Sequence, residues 1–156
     1  MANCKLMNKD KPLYGYGTHR LKGELCYKSV LYALRQGYNL IDTAEKYFNG
    51  AEIGRAIKAS GRKRSSIKIV HKLTDVLDFP RTHNATVDKV EQYLKELDVQ
   101  YIDILLMHGP SPRYHENPEI FIDGNIEVWN SMIEMKELKL LNAIGVSNFH
   151  KHQMDL

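Results

Sequence analysis

Five apolar runs of five to seven residues recur along this chain, and the longer segments between them place their apolar residues at helical spacing. Runs that short, rich in Leu, Ile, Val and Tyr, suit strands buried on both faces. Strands alternating with amphipathic helices imply a parallel sheet with right-handed crossovers, so the fold class is α/β.

The first run is Leu13 to Gly17. It precedes a helix at 24–36 in which Cys26, Val30, Ala33 and Leu34 share one face, with Gly37 as its stop. A second strand at 38–42 leads to a helix at 51–60 that turns Ile53, Ala56 and Ile57 inward and stops at Gly61. The basic run GRKRSS at 61–66 reads as a solvated turn, too short for a nucleic-acid or nuclear-import signal. The third strand, 67–73, precedes a helix at 84–97 with Asn84 as its N-cap and Val87, Val90, Leu94 and Leu97 as its seam. The fourth, 101–107, is the most apolar. After a Pro- and Asn-containing loop comes a helix, capped by Asn125, whose Ile126, Trp129, Met132 and Ile133 face inward. A fifth strand at 142–147 is followed by nine residues.

Periodicity leaves an open doubly wound sheet or a barrel. The dinucleotide fingerprint Gly-x-Gly-x-x-Gly after strand one fails, because Gly15 and Gly17 are followed by Arg20 in the third position. The barrel is the better reading. With 156 residues and 43% hydrophobic content, one domain with one core is expected. A net charge of +3 from 22 basic and 19 acidic residues is too balanced to imply a nucleic-acid partner. Cys4 and Cys26 form neither a metal-spaced pair nor a disulfide framework, no leader-like stretch opens the chain, and no run approaches the length of a membrane span. A soluble, cytoplasmic protein is the expectation.

In parallel α/β folds functional groups gather at the C-terminal ends of the strands. Here those ends carry Asp42, Lys72 and His108, with Tyr47 on the loop after strand two. Each has a plainer use: Asp42 as a turn cap, Tyr47 as a packing residue with a wet hydroxyl, His108 as a satisfied structural histidine. Lys72 is harder to dismiss, because an ammonium set in the apolar frame IKIVHKL is costly without an anion, and Asp42 on the neighbouring strand can provide one. Together the four groups suit proton donation to a carbonyl. A unit positive charge about 4 Å from a phenol, at an effective dielectric of about 20, favours phenolate by roughly 4 kcal/mol. That would lower the pKa of Tyr47 by up to roughly three, less what Asp42 offsets. A metal-dependent barrel hydrolase is the competing chemistry, but His150 and His152 make a poor ligand pattern and no metal is expected.

Four stretches in order, IDTAEKYFNGAEIG at 41–54, HKL at 71–73, DILLMHGP at 103–110 and AIGVSNF at 143–149, resemble the aldo-keto reductases. The resemblance covers nearly the whole chain as one incomplete aldo-keto reductase domain. It implies a (β/α)₈ barrel of TIM type, here a partial one of about five parallel strands and four helices, that moves hydride from NADPH to an aldehyde or ketone. By match to the family's tetrad, Tyr47 would be the general acid, Lys72 would depress its pKa, Asp42 would pair with Lys72, and His108 would orient the substrate carbonyl. Ser147 and Asn148 match residues that hydrogen-bond the nicotinamide carboxamide. Gly17 and Thr18 match a loop near the cofactor, which Asp42 also borders. Gly109 stands where many members carry Trp, and Glu52 lies two positions beyond the usual acidic residue after Asn49.

A barrel of this class takes about 250 residues. The resemblance therefore also implies that strands six to eight, with most of the cofactor's pyrophosphate and adenosine contacts, are not in these 156 residues. Exposed edges on strands one and five would invite self-association or pairing with a separate C-terminal half. A non-catalytic, partner-binding protein of the same fold is the alternative reading; neither a membrane nor a nucleic-acid partner is expected.

Overall fold

The structure, a computed structural model, describes residues 12–74, 79–110 and 118–155. Cys4 and most of the loop after the fourth strand, 111–117, lie outside them. Five strands, β1 (Gly15–Gly17), β2 (Leu40–Asp42), β3 (Lys68–Leu73), β4 (Ile102–Met107) and β5 (Leu141–Val146), form one sheet. They are all parallel and lie in the order β1-β2-β3-β4-β5. A doubly wound sheet reverses its order at a switch point. This one never does, as a barrel wall requires.

Helices α1 (Gly23–Arg35), α2 (Gly50–Ala59), α3 (His83–Leu97) and α4 (Pro118–Glu137) alternate with the strands, and a short α5 (Lys151–Met154) follows β5. Each of the first four packs against the next, so they form one layer over the sheet. Gly54 lets α2 approach the end of α3: a Cβ there would lie 2.5 Å from the Leu97 carbonyl oxygen, so only glycine fits. The core lies between the layers, with Ile41, Ile69 and Leu105 from the strands meeting Val30, Ile53 and Val90 from the helices. Side chains alternate along β3, so Ile69, His71 and Leu73 share one side while Lys68, Val70 and Lys72 share the other.

Three expectations need correction. The N-cap of α3 is Thr82, whose hydroxyl accepts from the Ala85 N–H at 3.3 Å; Asn84 sits already inside the first turn. Helix α4 begins at Pro118, a residue whose fixed φ suits a first helical position, so Asn125 is interior. Its amide oxygen instead accepts from Arg81 Nη1 at 2.5 Å. The buried face of α4 runs through Val128, Met132 and Met135, while Ile126 and Ile133 stay 47% and 39% exposed. Met132 is buried and Trp129 packs partly buried against the core, as expected, so the stripe is only partly rotated.

The basic run is a turn, as expected, but not a merely solvated one. Arg62 Nη1 donates to the carbonyls of Leu34 and Tyr38 at 3.0 and 2.5 Å, and Arg64 Nη2 to that of Tyr101 at 2.8 Å. Arg64 Nη2 also meets Asp103 Oδ2 at 2.7 Å, while Lys68 Nζ meets Asp103 Oδ1 at 2.9 Å. These two arginines staple the N-terminal ends of the strands.

Candidate active site

At the opposite end of the sheet the four sequence-predicted side chains come together. Asp42 closes β2 and Lys72 is the penultimate residue of β3. Lys72 Nζ lies 2.7 Å from both carboxylate oxygens of Asp42 and donates to the Thr43 carbonyl at 3.2 Å. Tyr47 ends a 3-10 turn, Glu45–Tyr47, and the chain escapes through Phe48 in the left-handed region, φ 51°. Its ring centroid is 5.7 Å from Lys72 Nζ and 6.2 Å from the His108 ring, which stands edge-on at 81°. His108 follows β4, is buried, and donates its N–H to Leu73 at 3.2 Å.

The phenol departs from the expected direction. Its pKa is raised above the ordinary tyrosine value, first by burial and then by the Asp42 carboxylate. Lys72 does not reverse this, because both Asp42 oxygens and a main-chain carbonyl already surround the ammonium. The resting phenol is protonated at neutral pH and so has a proton to give.

The remaining predicted positions border the same end. Thr18 is fully buried and spends its hydroxyl on the Asp42 carbonyl at 2.9 Å, tying the loop after β1 to β2. Gly17, beside it, has open space where a Cβ would stand. Asn148, at φ 59°, donates through Nδ2 to the His108 carbonyl at 2.6 Å and to Ser147 Oγ at 3.1 Å. That leaves a serine hydroxyl able to donate and an amide oxygen able to accept beside β5, the donor and acceptor pair that a primary carboxamide needs.

Two residues that the sequence reading did not single out complete the site. Asn49 is buried; its Oδ1 accepts from Thr43 Oγ1 at 2.9 Å, and its Nδ2 donates to the Thr18 and Leu21 carbonyls, each at 3.0 Å. It locks the loops after β1 and β2 together. His19 lays its ring 4.9 Å from that of Tyr47, tilted by 46°. Behind the site, His71 is fully buried and stacks on Tyr93 at 4.2 Å. Burial, then the charge of Lys72, holds its imidazole down to a pKa of about 3, so it is neutral at physiological pH.

A parallel strand-and-helix wall with an acid, an ammonium, a phenol and an imidazole gathered at its C-terminal rim is the site class of a barrel enzyme. Residues 14–156 match the family model described as the aldo/keto reductase family, and the chain belongs to that family. It is 37% identical over 153 residues to an aldo-keto reductase of Mycolicibacterium vanbaalenii, covering 96% of this chain and 50% of that protein. It is 36% identical over 156 residues to a glycerol 2-dehydrogenase (NADP(+)) of Saccharomyces cerevisiae, covering 88% of this chain and 48% of that protein. Among solved structures, an aldo-keto reductase from a Medee basin deep-sea metagenome library superposes with a TM-score of 0.80 at 32% identity, over 95% of this chain and 51% of the other. The chain therefore spans about half the length of the relatives it matches, and its sheet is a partial barrel of their kind.

Proposed function

We propose that this site reduces a small aldehyde or ketone to an alcohol with NADPH. The observation that carries the reading is the convergence of Tyr47, Lys72, Asp42 and His108 on one strand rim, with the Lys72 ammonium 5.7 Å from the Tyr47 ring. Bound NADPH would supply hydride to the carbonyl carbon. Tyr47 would give its proton to the carbonyl oxygen as negative charge develops there, and Lys72, held by Asp42, would stabilise the phenolate left behind. His108 would orient the carbonyl from the other side. Ser147 and Asn148 would hold the carboxamide end of the cofactor, and the backbone at Gly17 and Thr18 would border it. The relative whose name includes NADP(+) supports the choice of cofactor.

Strand β5 keeps most of its residues half-exposed, whereas β3 buries all but its first. We infer that further strands pair with this edge and complete the cofactor site. Sedimentation of the purified chain checks this; a stable monodisperse monomer with full NADPH affinity overturns it.

The direct test of function pairs NADPH titration, read by quenching of Trp129 fluorescence, with turnover of a small aldehyde. Replacing Tyr47 with Phe removes only the proton donor, so turnover should drop by roughly 10²–10⁴-fold with nucleotide affinity unchanged. Undiminished turnover in that variant would sink the assignment.

A further inference from the structure

Tyr47 is carried by a short 3-10 turn. It spans three residues, enters from an extended Ala44 and leaves through a left-handed Phe48. Asn49 anchors its C-terminal side to the loop after β1. Its N-terminal side is held by Glu45, whose carboxylate reaches across to α3. Oε1 accepts from Lys89 Nζ at 2.5 Å, and Oε2 accepts from the Tyr93 hydroxyl at 2.8 Å. Lys89 and Tyr93 are four residues apart on α3 and so present to the same side.

Tyr93 is the more telling partner. It is fully buried, and its phenol is held protonated by burial and by the Glu45 charge, so it stays a donor. Its ring also stacks on His71, the residue before Lys72 in β3. One side chain of α3 thus touches both the turn that presents the phenol and the strand that presents the ammonium.

We infer that Glu45, gripped by Tyr93 and Lys89, is a positioning residue that sets the distance between the Tyr47 hydroxyl and Lys72. It touches neither substrate nor cofactor in this scheme. The inference rests on the proposed reductase reading for the role of Tyr47, but the grip itself does not. A misplacement of about 1 Å at a reacting group costs up to roughly 10²-fold in rate, so the grip should be visible in kcat.

The test uses the full chain with ¹³C-labelled tyrosine, the Tyr47 resonance being assigned by its disappearance in Tyr47→Phe. Glu45→Ala should move that resonance and its titration, and should lower kcat by roughly ten- to a hundredfold with the KM for NADPH unchanged. Glu45→Gln keeps an acceptor for Tyr93 and should recover most of both. Tyr93→Phe keeps the ring on His71 and removes only the hydroxyl, so it serves if Glu45→Ala does not fold, and it should move the Tyr47 resonance in the same way. If these folded variants melt earlier while Tyr47 keeps its parental resonance and titration, the grip is structural only and the inference falls. If the parental chain binds NADPH but reduces no aldehyde, the proposed function fails, and the Tyr47 resonance alone still decides whether Glu45 positions it.

Discussion

Strand β3 carries a lysine near each end, and the two lysines have opposite fates. At the N-terminal end Lys68 pairs with Asp103, a carboxylate with no exposed surface. Asp103 also accepts from Arg64 at 2.7 Å, from the Ile69 N–H at 3.1 Å and from Asn142 at 3.5 Å, so it has a partner in every direction. At the C-terminal end Lys72 pairs with Asp42 at 2.7 Å, but that carboxylate is 39% exposed. Same strand, same kind of pair, different surroundings: the first is sealed by the protein, and the second is left open to whatever binds there. The difference marks one rim as the fastening of the sheet and the other as its chemistry.

Breaking the sealed pair should therefore cost the most stability. Replacing Asp103 with Ala takes the shared carboxylate from two largely buried cations and a buried N–H and should destabilise the fold by about 3 kcal/mol in chemical denaturation. Activity per folded molecule should be unchanged. A loss of turnover with intact stability would show that the two rims are not separable as argued.

Acid should act on the open rim from behind. His71 has a folded pKa of about 3 against an ordinary value of 6.5, so below 6.5 the unfolded chain takes up a proton that the folded one refuses. The neutral-imidazole contribution is full above 6.5 and is lost as pH falls from 6.5 towards 3, by roughly 1.4 kcal/mol per unit at the steepest. Denaturation midpoints measured across that window in the parent and in His71→Phe should diverge, with the variant losing less. Parallel curves would mean that His71 is protonated in the fold.

How much of this is legible in sequence follows from how far apart the partners lie. The strand and helix rhythm is local, and so are Asp42, Lys72 and His108, which stand at strand ends that the apolar runs mark out. The helpers are not local. Asn49 works through carbonyls 31 and 28 residues away, and Glu45 through a hydroxyl 48 residues away. Main-chain carbonyls carry no residue code, which is why Arg62 and Arg64, read as a charged run, look like a solvated turn although they staple three carbonyls of other elements. The misplaced edge of the α4 stripe has a similar cause: Ile126 and Ile133 fit a helical period with Trp129 and Met132 as well as Val128 and Met135 do, and only the neighbouring β5 and α3 decide which side is covered. The direction of the Tyr47 shift is missed for a related reason: the strand ends reveal Lys72 and its partner Asp42, but not the burial of the phenol, which is the first cause of the rise.

Removing the open carboxylate is the mildest change to the fold and the sharpest probe of the contrast between the rims. Asp42→Asn keeps the shape and a single acceptor for Lys72, and because the carboxylate is partly exposed while the ammonium is buried, the loss of stability should be about 1–3 kcal/mol, below that of Asp103→Ala. Its effect on Tyr47 has a definite sign. Asp42 is one of the two causes that raise the phenol's pKa, and with its charge gone the Lys72 ammonium is no longer neutralised, so Tyr47 should titrate at lower pH than in the parent. The proposed reaction needs the protonated phenol, so its rate should be flat through neutral pH and fall as pH rises past the Tyr47 pKa, which is raised above the ordinary tyrosine value in the parent and should be lower in the variant. An ultraviolet titration of tyrosinate, with Tyr47→Phe subtracted, reads the shift without turnover. If the midpoint does not move, Asp42 and Lys72 act as a closed salt bridge after all, and the two ends of β3 are more alike than their exposure suggests.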